Sequence, residues 1–310
     1  MADHAGRTPL HWAAYNGHTD VVQLFLDKGL EPNPADDNRF TPLHCAAKKG
    51  HKDVVQLLLE RGAEPKMAAQ YGNTPMFYAA LKGHKDVVQL LLGRGVEPNT
   101  VVTQDGLTPL HSAALRCHSS KDVVQLLLNR GAGADPNIGT LNGTTALHMA
   151  AQEGFKDVVQ LLLDSGAEPN QTKQNGMTPL CSAVFSGMCN KDVVLLLLDR
   201  GAKPNMAHQN GTTPLHWAAH DGRKDVVQLL MERGAEPNVA RQNGDTPLHD
   251  AATSAEYFPA LDGHKEVVQI LLDRGAEPNM TDHTGRTPLD KALQRGNMDI
   301  ANILIDYGKF

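Results

Sequence analysis

Fifteen histidines stand in this chain of 310 residues, enough to make a metal centre the first question. Six of them (His11, His44, His111, His148, His216 and His249) each follow a threonine by three residues, and four more (His18, His51, His84 and His264) each follow a glycine. Zinc holds nitrogen ligands at about 2.0–2.1 Å. Histidines that recur in one local context occupy equivalent points of neighbouring packed helices, about 8–10 Å apart. The spacing therefore predicts structural histidines and no metal site.

Other chemistry fares no better. Cys45, Cys117, Cys181 and Cys189 form no Cys-x-x-Cys pair, which reads as reduced thiols in an intracellular chain, cytoplasmic with the nucleus as the alternative. Gly131-Ala132-Gly133-Ala134-Asp135-Pro136 has the glycine content of a phosphate loop. It follows an expected helix where such loops follow a strand, and Pro136 takes the third glycine position. No Gly-x-Ser-x-Gly elbow occurs. Asn142, Asn170, Asn210 and Asn279 head Asn-x-Thr sequons in polar turns, and with no apolar leader segment visible they read as coincidence. No acid, base and nucleophile cluster together, so the expectation is a protein that is not an enzyme and carries no cofactor.

The elements that must position these residues are repeats. Thr-Pro-Leu begins at Thr8, Thr41, Thr108, Thr178, Thr213, Thr246 and Thr287, with altered copies at Thr74 and Thr145. The intervals are 33, 33, 34, 37, 33, 35, 33 and 41 residues. A fixed period of this size means one stacked array, expected as a single domain over 1–310 with about nine units. Stacked units present surface, where a catalytic fold would present a pocket.

Residues 41–66 show how one unit folds. Thr41 can cap a helix N-terminus, and Pro42 suits the first helical position. Leu43, Ala46 and Ala47 give that helix a thin apolar face, and Gly50 can end it at positive φ. Lys52-Asp53 opens a second helix, with the acid at its positive end. Val54, Val55, Leu57, Leu58 and Leu59 make this helix apolar around most of its circumference, so it must be covered on several sides. Gly62 and Pro65 stop it. A polar turn, Gln70-Tyr71-Gly72-Asn73, then leads to the next threonine. Each buried Leu or Val contributes roughly 1.5–3 kcal/mol, and only neighbouring units can bury them.

Thr-Pro-Leu-His-x-Ala at this period resembles the ankyrin repeat. Thr-Pro-Leu-His stands unaltered at 8–11, 41–44, 108–111, 213–216 and 246–249, and Gly-Ala-Glu-Pro-Asn recurs at 166–170, 234–238 and 275–279. The resemblance covers essentially the whole chain. It implies an all-α solenoid in which first helices line a concave surface, second helices form the back and hairpin-like fingers project along one edge. It also implies a protein-binding scaffold. Family members can be hydroxylated on asparagine after the second helix; here that slot holds Asn33, Asn99, Asn137, Asn170, Asn205, Asn238 and Asn279, each preceded by Pro where the family usually has Val or Ile. Lys-Asp-Val-Val-Gln-Leu-Leu-Leu recurs at 52, 85, 121 and 156, as after recent duplication, while the uneven intervals favour a natural protein over a designed array.

A partner must be read from the variable positions. Phe25 falls in a second helix and reads as core, and Phe77 and Phe155 replace motif histidines. Trp12, Tyr78 and Trp217 follow the motif-histidine position, Tyr15 and Phe185 lie near the end of a first helix, Phe40 and Tyr71 lie in fingers, and Tyr257 and Phe258 lie in an insertion. These nine rings are the expected partner-binding residues, because aromatics carry large contact area at low entropic cost. By the resemblance, most face the concave side. Extra residues between the helices fall in three units, near 117–120, 187–190 and 253–262, and in a solenoid such insertions share one face. Arg39 stands where other fingers have glycine, so that finger is expected to be rebuilt with Asn38 in the left-handed region.

The first unit begins at its finger with no capping helix, so the N-terminus reads as minimal or as cut from a longer chain. The last unit (about 282–310) carries Lys291, Gln294, Asn302 and Asp306, as an end cap would. Net charge is −6, and Lys48-Lys49 with Lys52 is too short a basic run to expect nucleic acid. No run of 18 apolar residues could span a membrane. The expectation is a monomeric scaffold for a protein partner. The alternative is a recruiting segment of a larger enzyme, channel or ligase adaptor, or a pathogen effector acting in a host cell.

Overall fold

The computed structural model describes residues 2–115, 117–129, 131–187, 190–253 and 261–308, with backbone only at 117–120, 261 and 262. Among these residues there are nine helix pairs and no strand. The first helices are α1 (Pro9–Asn16), α3 (Pro42–Lys49), α5 (Pro75–Leu81), α7 (Pro109–Ala114), α9 (Ala146–Gln152), α11 (Pro179–Phe185), α13 (Pro214–His220), α15 (Pro247–Thr253) and α17 (Pro288–Gln294). Their partners are α2 (Thr19–Asp27), α4 (Lys52–Glu60), α6 (Lys85–Gly93), α8 (Cys117–Leu128), α10 (Lys156–Asp164), α12 (Lys191–Asp199), α14 (Lys224–Glu232), α16 (Leu261–Asp273) and α18 (Met298–Tyr307).

The expected capping holds, with histidine as the reciprocal partner. The Thr41 hydroxyl accepts from the His44 backbone N–H at 3.4 Å, and His44 Nδ1 accepts from the Thr41 N–H at 3.1 Å. This is a capping box in which an imidazole replaces the usual carboxylate. Gly50 closes α3 at φ +79°. Ala46 and Ala47 are fully buried, as are Val54, Val55 and Leu58 on α4, so small residues bring the first helices together while large ones fill the space between second helices.

The chain divides into two compact units, residues 1–150 with 157–167, and residues 151–156 with 168–310. In the first, α1, α3, α5 and α7 pack in succession, and so do α2, α4, α6 and α8. In the second, α11, α13, α15 and α17 pack in succession beside α12, α14, α16 and α18.

Polar bonds set the register between repeats. Fingers join through single backbone bonds, such as Gln70 N–H to Asn38 O and Gln104 N–H to Tyr71 O, or Gln242 N–H to Asn210 O in the second unit. The asparagine after the second helix clasps the next repeat: Asn33 Nδ2 donates to Gly62 O and Asn33 Oδ1 accepts from Glu64 N–H. Asn99, Asn170, Asn205 and Asn238 repeat this two-ended clasp. Each clasp pairs one backbone acceptor and one backbone donor of the next repeat at the surface.

Three expectations are corrected. Arg39 itself adopts the left-handed region (φ +61°), and Asn38 does not; the Asp36 carboxylate fixes the turn by accepting from the N–H groups of Asn38 and Phe40. Phe25 is half-buried and outside the core, because α2 is packed by α4 on one side while its Val21 and Leu24 stay exposed. Lys291 is no outward polar cap: it is 6% exposed and bonded to Asp245 and Asp282. Of the expected insertions, the first belongs to α8, which runs 12 residues where α4 and α6 run 9. Residues 188, 189 and 254–260 lie outside the described residues, Cys189 among them.

Candidate functional site

The motif histidine positions everything near it. His44 Nδ1 is held by the Thr41 hydroxyl and N–H, which leaves Nε2 to donate to Asn73 O of the next finger at 3.1 Å. His11, His111, His216 and His249 do the same toward Phe40 O, Thr144 O, Asp245 O and Arg286 O. Burial pushes His44 and His216 down to about 4, against the pull of the accepting carbonyl. These rings are crossties between a helix start and a finger. The residue after each histidine is thereby placed at the junction of first helix and finger.

In the first unit that junction gathers rings. Trp12 and Tyr15 meet edge to face at 6.0 Å, and Phe40 packs on Tyr78 at 5.0 Å. Trp12 is 42% exposed, and its Nε1–H donates to Asp3 of the preceding finger. Cations lie over these faces: Arg7 over Trp12 at 5.3 Å, Lys49 over Tyr15 at 4.3 Å, and Lys48 over both Phe40 and Tyr78 at 5.7 and 5.5 Å. Hydrogen bonding and charge from Lys49 lower the Tyr15 phenol. A cavity of about 200 Å³ opens between Trp12, Tyr15, Phe40 and Lys48, with Cys45 on its wall. Burial raises the Cys45 thiol to about 11, so it is a small apolar surface and a poor nucleophile.

In the second unit Phe185 and Trp217 meet at 5.6 Å beside a cavity of about 310 Å³. Its other walls are polar or ionisable: Thr212, His216, His220, Asp221, Arg241 and Asp250. Asp250 occupies the slot that Trp217 occupies one repeat earlier. Burial pushes its carboxyl up to about 7, against the opposing pull of Arg241, which pairs with it. His220 is raised, first by its bond to Asp221.

Seven of the nine expected rings thus fall within the described residues, and six pair. Tyr71 is apart: it stands 65% exposed in a finger at φ +64° and makes no ring contact among the described residues. Phe185 is 59% exposed, while Phe40, Tyr78 and Trp217 are half-buried. Tyr257 and Phe258 lie outside the described residues. Sequence reading missed the charged members. Arg7 shares the pre-threonine slot with Phe40, and Lys48 shares the slot of Tyr15, so comparing equivalent positions for charge as well as aromaticity would have found them.

Among the described residues no group of three His, Cys, Asp or Glu side chains could hold a metal ion, and no helix is long and apolar enough to cross a membrane. A search of curated proteins returned no match. The family model for ankyrin repeats (3 copies) matches residues 1–69, 62–140, 119–208, 190–282 and 258–310. Those matches run through every helix pair described above, and the chain belongs to the ankyrin repeat family.

Proposed function

We propose that the chain is a non-catalytic scaffold that holds a partner protein on the face where first helices meet fingers. Trp12, Tyr15, Phe40, Tyr71 and Tyr78 would serve one unit, Phe185 and Trp217 the other, with Tyr257 and Phe258 of the insertion adding contact. The observation that carries this is the pairing of rings at equivalent repeat slots, three of them exposed (Trp12, Tyr15 and Phe185) and three half-buried, with cavities beside them. Rigid aromatic anchors next to a pocket are what protein interfaces use as hot spots. The buried free thiols Cys45 and Cys181 suit a reducing cytoplasm. A single copy suffices for the reading, and the same face would act identically in a free scaffold or in a recruiting segment of a larger protein.

The test is affinity capture from the source cell with the wild-type chain and with Trp12→Ala/Trp217→Ala. Partners retained by the first and lost by the second, at nearly unchanged thermal unfolding, support the reading. A large fall in melting temperature would show that the rings serve the core, and identical captured sets would place the interface elsewhere.

A further inference from the structure

The ring cluster of the first unit is built to one charge. Two carboxylates, Asp3 and Asp36, hydrogen-bond to its members, and both are consumed internally. Asp3 accepts from the N–H groups of Ala5 and Arg7 and from Trp12 Nε1–H. Asp36 is buried and accepts from Asn38 and Phe40 N–H and from Arg7 Nε. The two lysines are not consumed in this way, and Arg7 is consumed only in part. Lys48 and Lys49 have no carboxylate within ion-pair distance among the described residues, and Arg7 binds Asp36 through Nε at 3.4 Å with 40% of its side chain exposed. Their charged ends instead lie over aromatic faces. A cation held over a ring is partly desolvated on one side and remains able to take an anion on the other.

Resting on the reading above, we propose that this cluster binds an acidic segment of a partner protein, with one large apolar side chain set between carboxylates. The apolar residue enters the cavity between Trp12 and Phe40, where Cys45 and the ring faces offer apolar wall and the volume suits one side chain. Carboxylates to either side meet Lys48 and Lys49, with the outer edge of the Arg7 guanidinium as a third site. The surplus of positive charge is local, since the chain as a whole carries −6. An acidic segment is thus attracted to this cluster and repelled by the protein at large, which fixes where it lands. A single nucleic-acid strand is the competing anion. The rings suit it less: Trp12 and Tyr15 are inclined by 71° and Phe40 and Tyr78 by 57°, whereas successive bases need accessible faces to stack upon.

The test is selection of a displayed random peptide library on the full chain. Binders are then synthesised and measured by fluorescence polarisation against the chain, Trp12→Ala, Lys48→Ala/Lys49→Ala and Lys48→Glu/Lys49→Glu, with circular dichroism confirming that each variant is folded. The expected binders carry Asp or Glu around one Phe, Trp, Tyr or Leu. They lose at least about tenfold in affinity in the first two variants and weaken as salt is raised. The charge-reversed variant rejects them and accepts their lysine-substituted analogues. Trp12-dependent binders that are neutral or basic overturn this proposal and leave the protein-binding face standing. No Trp12-dependent binder at all overturns this proposal and removes the first unit's rings from the protein-binding face, leaving that reading to the Phe185 and Trp217 pair. An oligothymidylate that binds through Lys48 and Lys49 more tightly than any peptide overturns the proposal in favour of nucleic acid.

Discussion

The His84 ring rests on the backbone of Gly50, so closely that a Cβ at Gly50 would stand 2.5 Å from His84 Nδ1. The contact joins two consecutive repeats, because Gly50 ends α3 and His84 caps α6. From that position His84 Nε2 donates to Lys48 O in the last turn of α3 at 3.1 Å. Gly17 with His51 and Gly222 with His264 repeat the arrangement. At three places where the histidine is absent its donor role persists: Arg223 donates to Val184 O and Ser186 O, Asn190 to Gly154 O, and Asn297 to Ala252 O; Phe155, in the same slot, has no side-chain donor. The Gly-His motif is therefore a joint between repeats, with the glycine emptied to admit the ring.

Gly50→Ala carries two costs, a left-handed backbone at φ +79° and a side chain driven into His84. The first alone is roughly 1–2 kcal/mol, and the total is expected to exceed about 2 kcal/mol. His84→Ala loses a bond to Lys48 O that is worth about 1 kcal/mol. Because the double variant removes the clash, it should be less destabilised than the sum of the singles. Urea unfolding of all four proteins measures this, and strict additivity would show that the ring moves aside freely.

The buried motif histidines give stability a pH dependence of definite sign. His44 and His216 fall to about 4 in the folded chain, against about 6.5 when unfolded. Between these values the unfolded chain takes up protons that the folded chain refuses. The stabilisation is present above about 6.5 and is lost as pH falls toward 4, by about 3 kcal/mol for each ring. Asp250 works in the opposite sense: raised to about 7, it favours the fold below its unfolded value and loses that contribution as pH rises through 7. Asp250→Asn should therefore steepen the acid loss. Urea midpoints from pH 4 to 8, with ring titrations followed by NMR, check both signs.

Much of this was legible in the sequence because the repeat compares each residue with eight others in the same environment. Thr41, Pro42, Gly50 and Gly62 behave as local backbone chemistry requires, and Val54, Val55 and Leu58 are buried as their pattern demands. Rings were found by the same comparison, since Trp12, Tyr78 and Trp217 depart from one slot. What stayed hidden depends on contacts between repeats. Lys48 is an ordinary helix-ending lysine until Phe40, from its own finger, and Tyr78, from the next repeat, are seen beneath it. Lys291 looks solvated until Asp245 of the preceding repeat's finger and Asp282 of its own close around it. Arg39 was misread because local backbone preference favours Asn38, whereas the hydrogen bonds to Asp36 fix the turn one residue later.

Arg39→Gly tests that turn. Arg39 is exposed and holds φ +61°, which costs a side-chain-bearing residue roughly 1–2 kcal/mol. Glycine removes this cost and adds unfolded-state entropy of about 0.5–1 kcal/mol. The net expectation is a gain of up to about 1.5 kcal/mol, read as a higher urea midpoint. A loss would mean that the arginine side chain makes a contact that outweighs its backbone strain.

Lys291 is the most exacting position in the second unit, since its ammonium bonds both Asp245 and Asp282 while buried. Burial alone would raise the Asp282 carboxyl; bonds from Thr284, the Arg286 backbone and Lys291 outweigh it and hold the group far below the usual carboxylate range. Asp245 retains Arg241 at 3.5 Å, and Asp282 retains Arg286 at 3.1 Å, so neither is left without a cation when Lys291 is removed. Each arginine reaches only one of the two carboxylates, however, whereas Lys291 bonds both. Lys291→Met keeps the apolar stem and deletes the charge, which sets two buried like charges against each other at a cost of about 3–5 kcal/mol. Adding Asp282→Asn removes one of those charges and should restore part of the loss, because the penalty is electrostatic. Thermal unfolding of the single and double variants decides it: if Lys291→Met/Asp282→Asn is less stable than Lys291→Met alone, the lysine acts by packing and the two carboxylates are held by their fingers without it.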